Sequence, residues 1–395
     1  MESLVKKRIC NISNLYKAME GCRKGVKWKA SVINYTHHGL LRVYILKKSI
    51  LNNTYKPVEG PKFTIYEPKK RDITATRFRD RVPQRCLVDT YLYEEISSKF
   101  IDENCACLKH RGTDYARNIL KRNLKELYAI SGLSGYALKI DVKSFFGSID
   151  HDVAKSIIKE LINDSWAYQM ICDEIDSHTC DVGIGLGSQL NQYIALSILN
   201  GIDHLCKDLG FNLYVRYMDD IIILHKSKEA LTLLRDLIED ELIKLKLRLN
   251  KNKTIIAKIT QPIHFLGFSY KLHNTGRVTM KVLPAKISKR RRRLKAEARL
   301  VLNGVLTIKE FQNLYKGGRD HLKKGTRSQL YKMDKYYNKL MEDSGMNEII
   351  ELRKEVEELK DIVERQQAII AKIVLYSGLD PDVVLSTERE VSNNE

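Results

Sequence analysis

What this chain lacks narrows it first. No run of 18 apolar residues occurs anywhere in its 395 residues, so no segment reads as a membrane-spanning helix. The opening MESLVKKRIC carries no apolar signal core, which points to the cytoplasm. Cysteines at 10, 22, 86, 105, 107, 172, 180 and 206 include no C-x-x-C pair with a matching second pair, so a zinc site is disfavoured and reduced thiols are expected. Acids are scarce over most of the chain. Of 68 bases and 49 acids, residues 341–395 hold 14 acids and 6 bases, which leaves 62 bases against 35 acids in residues 1–340. A body this basic with an acidic end points to a polyanionic partner, most simply nucleic acid. Hydrophobic content of 43% with 30% charged residues excludes a disordered chain, and the length suggests two to three domains.

The pattern of what is present gives an α+β order. Residues 1–55 read as helical and basic, with Leu15, Met19, Trp28 and Val32 among the cationic positions. Residues 56–96 alternate around Phe63 and Ile65, predicting a hairpin with the basic tip EPKKRD and then a helix. GYALKIDVKSFFGSIDHDVAKSIIKELI (135–162) predicts a short strand, a turn and an amphipathic helix capped near Asp150. VGIGLGSQLNQYIALSILNGIDHL (182–205) predicts a glycine-rich loop opening one long helix. LYVRYMDDIIILH (213–225) predicts two strands meeting in a tight turn, followed by a helix over 229–250 and a strand over 264–272. Residues 281–340 change character, with 18 bases against 4 acids. In the last helical stretch Ile349, Leu352, Val356, Leu359, Val363, Gln366, Ile370 and Ile373 alternate steps of three and four, the two-in-seven seam of a coiled coil. β-branched residues at each a position favour a parallel pair, so self-association is expected, with Gln366 setting the register.

Two adjacent carboxylates, Asp219 and Asp220, interrupt a run that otherwise reads as buried strand. Buried unpaired carboxylates cost several kcal/mol or neutralise themselves. A cation relieves both. Asp141, closing the strand ALKID, is the third carboxylate, and the three can converge if both strands share a sheet. Oxygen-rich clusters of this kind suit Mg²⁺, and two such ions roughly 3.5–4 Å apart support in-line phosphoryl transfer. Exposed turn aspartates are the plainer alternative.

YMDD at 217–220 resembles the central motif of reverse transcriptases, and KIDVKSFFGSIDH (139–151) resembles their first metal-binding motif, as in bacterial retroelement enzymes. EPKKRDITATRFRDRVPQ resembles their fingers motif, RLNKNKT (248–254) the motif that supplies a lysine beside the leaving pyrophosphate, and FLGF (265–268) the primer grip. The five motifs occur in family order over about residues 56–340.

The resemblance implies a right-hand polymerase. A basic N-terminal region (1–55) would precede fingers (56–138), palm (139–280), basic helical thumb (281–345), coiled-coil helix (346–376) and acidic tail (377–395). It implies Asp141, Asp219 and Asp220 as catalytic residues, and these with Val142 as ligands of two Mg²⁺ ions, for which Mn²⁺ could substitute. It implies nucleotide contacts from Lys69, Lys70, Arg71, Phe146, Gly187, Gln192 and Lys253 (or Lys251), with Phe146 excluding the 2′-hydroxyl. Template and primer would meet Tyr217, Met218, Leu266 and Gly267. Implied partners are a noncoding RNA template, dNTPs and the cDNA product; the heptad seam adds a second copy of the chain, and no membrane is expected. GIGLGSQLNQ departs from the P-Q-G and S-P pattern of most relatives and is similar to reverse transcriptases of diversity-generating retroelements and antiphage defence. The expectations are therefore cDNA synthesis in defence, error-prone diversification, or an idle RNA-binding scaffold.

Overall fold

A computed structural model describes residues 3–66, 71–178 and 180–377, without the side chains of 71, 72 and 373–377. The chain divides into two compact units, Met1–Thr279 and Met280–Glu395.

The first unit opens with helices Leu4–Ile9, Ile12–Arg23, Ala30–His37 and Gly39–Leu51. Asn11 caps the second through its side chain, and Leu15 and Met19 from that helix are buried. A two-stranded ribbon follows, β1 (Lys62–Ile65) and β2 (Arg71–Thr74), antiparallel with Ile65 opposite Arg71. Its tip, with Lys69 and Lys70, lies outside the described residues, as does the side chain of Arg71.

The centre of this unit is a four-stranded sheet in the order β4-β5-β3-β6, from β3 (Tyr136–Asp141), β4 (Tyr214–Tyr217), β5 (Asp220–His225) and β6 (Ile255–Lys258). Ile221, Ile222, Ile223 and Leu224 are all buried although neighbours on a strand point to opposite faces, so both faces are covered. Helices Thr113–Ser131 and Lys228–Lys244 pack on this sheet. That is why IIIL is a continuous apolar run rather than an alternating one.

Three local expectations are revised. The turn expected between the strand and the helix of 135–162 contains a helix of its own: β3 stops at Asp141, and Phe145 and Phe146 begin a short helical turn, Phe145–Ser148. The helix after the glycine loop is two helices, Gln189–Ile198 and Asn200–Asp208, parted at Leu199. The single strand expected over 264–272 is a hairpin, β7 (Ile263–Phe265) and β8 (Phe268–Leu272), whose turn holds Leu266 and Gly267 at φ of 47° and 83°.

β9 (Val278–Val282) contains the boundary between the units. In the second, helices Pro284–Leu302, Ile308–Lys323 and Arg327–Asp343 pack on one another around Leu294, Phe311 and Met333. Thr307 and Glu310 form a reciprocal cap at the start of the middle helix. Of the tyrosines in QLYKMDKYYNKL, Tyr337 is used internally, stacked 3.8 Å from Tyr315, whereas Tyr331 is exposed. The final helix, Met346–Ser377, is exposed throughout 351–372, and its apolar seam residues Leu352, Val356, Leu359 and Val363 are each about half or more in solvent.

Candidate active site

The pairing of three strands assembles the acidic cluster. β3 and β5 are antiparallel with Asp141 directly opposite Asp220, and β4 and β5 pair Tyr217 with Asp220. Met218 and Asp219 form the connecting turn, and Met218 takes φ of 56°, a left-handed conformation that tight two-residue turns demand. Like charges at opposed sheet positions repel. Burial pushes Asp220 up to about 6, with Asp219 and Asp141 adding to the rise and Lys139 opposing it.

Two lysines moderate that repulsion. Lys139 Nζ lies 3.2 Å from Asp220 Oδ1, close enough to pair but not aligned as a hydrogen bond, so that buried oxygen lacks an aligned donor among the described residues. Lys253 Nζ donates to both Asp141 oxygens at 2.9 Å, and Asn250 Nδ2 donates to Oδ2 at 2.9 Å. The Asn250 N–H also donates to the Asp141 carbonyl at 2.8 Å, which locks the turn carrying Lys253 against the end of β3. Lys251 points elsewhere, 3.8 Å from Glu239. Val142 is buried and bridges Leu249, so only its main-chain carbonyl could meet an ion.

Arg216, on β4 just before the YMDD turn, is a residue that motif reading passed over. It is fully buried with Asp203: Nε donates to Asp203 Oδ1 at 2.6 Å and Nη2 donates to Oδ2. Its Nη1 donates to the Met218 carbonyl at 3.2 Å and its Nη2 to the Leu196 carbonyl at 3.3 Å. The acidic turn is thereby pinned to both helices that follow the glycine loop. An arginine within an apolar strand was the available signal; its partner thirteen positions earlier was not.

In the turn after β3, Phe145 is buried and Phe146, half-buried, meets it edge-on at 5.6 Å. The Phe146 carbonyl accepts the Ile184 N–H at 3.0 Å, tying its backbone to the glycine loop. Gly187 has φ of 94°, open to glycine and strained for other residues. Gln192 Oε1 accepts the Cys107 thiol at 3.2 Å, and Tyr217 is half-buried beside this core. Glu174, buried near Asp80 and held by Asn191 and Gln84, is pushed up to about 8 chiefly by burial. The Lys139 ammonium also donates to the His264 carbonyl at 2.9 Å, linking the acidic centre to the hairpin that carries Leu266 and Gly267. Buried thiols are raised likewise, Cys105 to about 12 and Cys107 to about 11, which keeps them protonated.

Among the described residues no group of three His, Cys, Asp or Glu side chains is gathered as a ready metal site. The donor chemistry nonetheless fits a hard divalent ion: carboxylates on paired strands, with a buried oxygen of Asp220 short of a donor. No curated protein sequence matches the chain. Among solved structures it is similar to apo telomerase from Candida tropicalis, at 13% identity and a TM-score of 0.40, spanning 55% of this chain and just under half, 47%, of that one. The family model for reverse transcriptase (RNA-dependent DNA polymerase) matches residues 66–270, just over half of the chain, and takes in both the Asp141 strand and the Asp219–Asp220 turn. The chain belongs to the reverse transcriptase family of RNA-directed DNA polymerases.

Proposed function

We propose that the chain copies a cognate noncoding RNA into DNA by two-metal nucleotidyl transfer, with Asp141, Asp219 and Asp220 as the catalytic carboxylates. The observation that carries this reading is the direct opposition of Asp141 and Asp220 beside the Asp219 turn. Two Mg²⁺ ions bound there, or Mn²⁺ in their place, would supply charge to draw the primer hydroxyl to the α-phosphate and to neutralise the leaving pyrophosphate. Asp141 and Asp220 would hold the ions from paired strand ends, and Lys253, which pairs with Asp141, would supply positive charge for the departing phosphates. Lys69, Lys70 and Arg71 are the fingers cations of this reading, Gly187 and Gln192 the loop contacts, and Tyr217, Met218, Leu266 and Gly267 the template and primer contacts. In the right-hand scheme the sheet domain is the palm and the basic helices after it the thumb, where phosphate contacts dominate the binding of a duplex.

Phe146 is the sugar gate in this reading. A flat ring against C2′ leaves no room for a further oxygen, and overlap of that kind costs about 1–3 kcal/mol, or roughly 5- to 150-fold in selectivity. Phe146→Ala is expected to raise incorporation of rNTP relative to dNTP by that factor in single-nucleotide primer extension with Mg²⁺. Unchanged selectivity would remove Phe146 from the role; no extension of any primer by the unaltered protein would sink the polymerase reading.

The setting we favour is antiphage defence by an oligomer joined through the helix Met346–Ser377, because its heptad seam lies in solvent among the described residues. Leu352, Val356, Leu359, Val363, Gln366 and Ile370 form the contact in this reading. Leu352→Asp with Val363→Asp is expected to reduce the sedimenting species to monomer mass. A wild-type chain already at monomer mass at micromolar concentration refutes it. The unusual GIGLGSQLNQ loop favours a second setting, error-prone diversification, and sequencing the cDNA separates the two: scattered misincorporation marks the latter.

A further inference from the structure

Two histidines grip the backbone of the glycine loop. His178 follows the helix Ser165–Asp176, and His151 opens the helix His151–Leu161. The Gly185 N–H donates to His178 Nε2 at 3.0 Å, and His151 Nε2 lies 2.9 Å from the Gly183 carbonyl. A main-chain N–H can only donate and a carbonyl can only accept, so the partners assign the protons: His178 Nε2 is bare and His151 Nε2 carries hydrogen. The two rings lie 6.4 Å apart.

The same stretch of chain is tied on its other sides. The Gly183 N–H donates to the Ile149 carbonyl at 2.7 Å and the Ile184 N–H to the Phe146 carbonyl at 3.0 Å. The Leu186 N–H donates to the Thr74 carbonyl at 2.9 Å, and Asn191 Nδ2 donates to the Gly185 carbonyl at 2.8 Å. The loop is therefore a strap from the Phe146 turn to β2, the second strand of the basic ribbon. Gly185 has no space to spare, since a Cβ there would sit 2.8 Å from His178 Cε1 and 3.3 Å from the Thr74 carbonyl oxygen. A cavity of about 180 Å³ lined by Phe146, His178, Gly183, Gly185 and Leu186 opens onto the strap.

We propose that His178 is a positioning residue for the incoming nucleotide: its bare Nε2 holds the Gly185 N–H, keeping the strap drawn between β2 and Phe146, and a proton on that nitrogen releases it. This rests on the nucleotidyl-transfer reading above and deepens it. The groups facing the ring are His151 from the helix after Phe146, and Glu59 and Lys62 from the segment entering β1. Burial lowers the His178 pKa below 6.5, reinforced by His151 and Lys62 and opposed by Glu59. The native state thus takes up a proton less readily than the unfolded chain, so the contact is complete above pH 6.5 and declines as pH falls toward the depressed value.

The test uses the full-length protein with oligo(dT) primed on poly(rA), Mg²⁺ and titrated dTTP between pH 5.5 and 8. His178→Phe keeps an aromatic ring but no acceptor, and is expected to raise the KM for dTTP about five- to tenfold while lowering kcat less. His178→Gln supplies a carbonyl acceptor without a titrating nitrogen. It is expected to restore the KM at pH 7.5 and to make the acid-side rise in KM smaller than in the wild type, leaving only the part that Asp220, itself raised to about 6, contributes. A wild-type KM in His178→Phe, or the same acid-side rise in His178→Gln, overturns the proposal. Imidazole ¹⁵N resonances of the labelled protein, with His178 identified by its loss in His178→Gln, decide the contact independently of turnover. Nε2 bare and hydrogen-bonded at pH 7.5 supports the assignment, Nε2 protonated overturns it, and absence of extension by the wild type overturns the reading beneath it instead.

Discussion

Asp141→Asn is expected to lower primer extension by about 10³-fold or more, because it removes a fixed charge from the point where phosphoryl charge develops. The exchange is nearly isosteric and leaves the β3–β5 register untouched. The side-chain amide can still lie beside Asn250, but Lys253 loses the anion that it contacts through both oxygens. The loss is therefore chemical rather than structural. Single-turnover extension at saturating dNTP, with thermal unfolding followed in parallel, checks it. Asp141→Asn retaining more than a tenth of wild-type activity would place the reacting phosphates elsewhere. The same variant separates polymerase from scaffold: RNA binding held at wild-type strength together with an unchanged biological effect would favour an idle RNA-binding protein, and loss of that effect favours catalysis.

Which parts of this architecture could be read in the sequence follows from the range of the interactions involved. A strand that ends on an acid and a pair of acids between two apolar runs are local patterns, and they mark a place where the chain tolerates charge for a reason outside itself. Asp141 and the Asp219–Asp220 turn were visible on that ground, although only the register puts residue 141 opposite residue 220. The helix cap at Asp150 was equally local, its side chain accepting the Val153 N–H at 3.1 Å. The break at Leu199 was hidden because apolar periodicity continues across it; both flanking helices are well buried, so hydropathy carries no punctuation there. The FLGF turn is hidden within a strand-like pattern because Leu266 takes a left-handed φ against its own preference, a choice imposed by the hairpin that surrounds it. The grips on the glycine loop could not be read at all: His178 and His151 act on main-chain atoms, and nothing in a side-chain pattern reports where a backbone N–H will point.

Arg216→Met is expected to destabilise the protein by about 3–5 kcal/mol and to cost activity beyond its effect on folding, since a buried ion pair that loses one member strands the other. Both side chains are fully buried, and Asp203 Oδ1 also accepts from the Tyr214 hydroxyl at 2.6 Å. Truncating Arg216 leaves the Asp203 carboxylate with that hydroxyl but without its counter-charge. It also frees the Met218 and Leu196 carbonyls that the guanidinium holds. The first of these belongs to the turn that presents Asp219, so the defect should reach the catalytic centre even in molecules that remain folded. Chemical denaturation measures the stability term, and kcat measured well below the unfolding transition isolates the second. The double variant Arg216→Met with Asp203→Leu discriminates further. It removes the stranded charge and is expected to recover much of the stability while leaving the Met218 carbonyl unheld, so turnover stays low. Recovery of stability and turnover together would mean that the ion pair only fills the core, and that the turn keeps its left-handed Met218 without it.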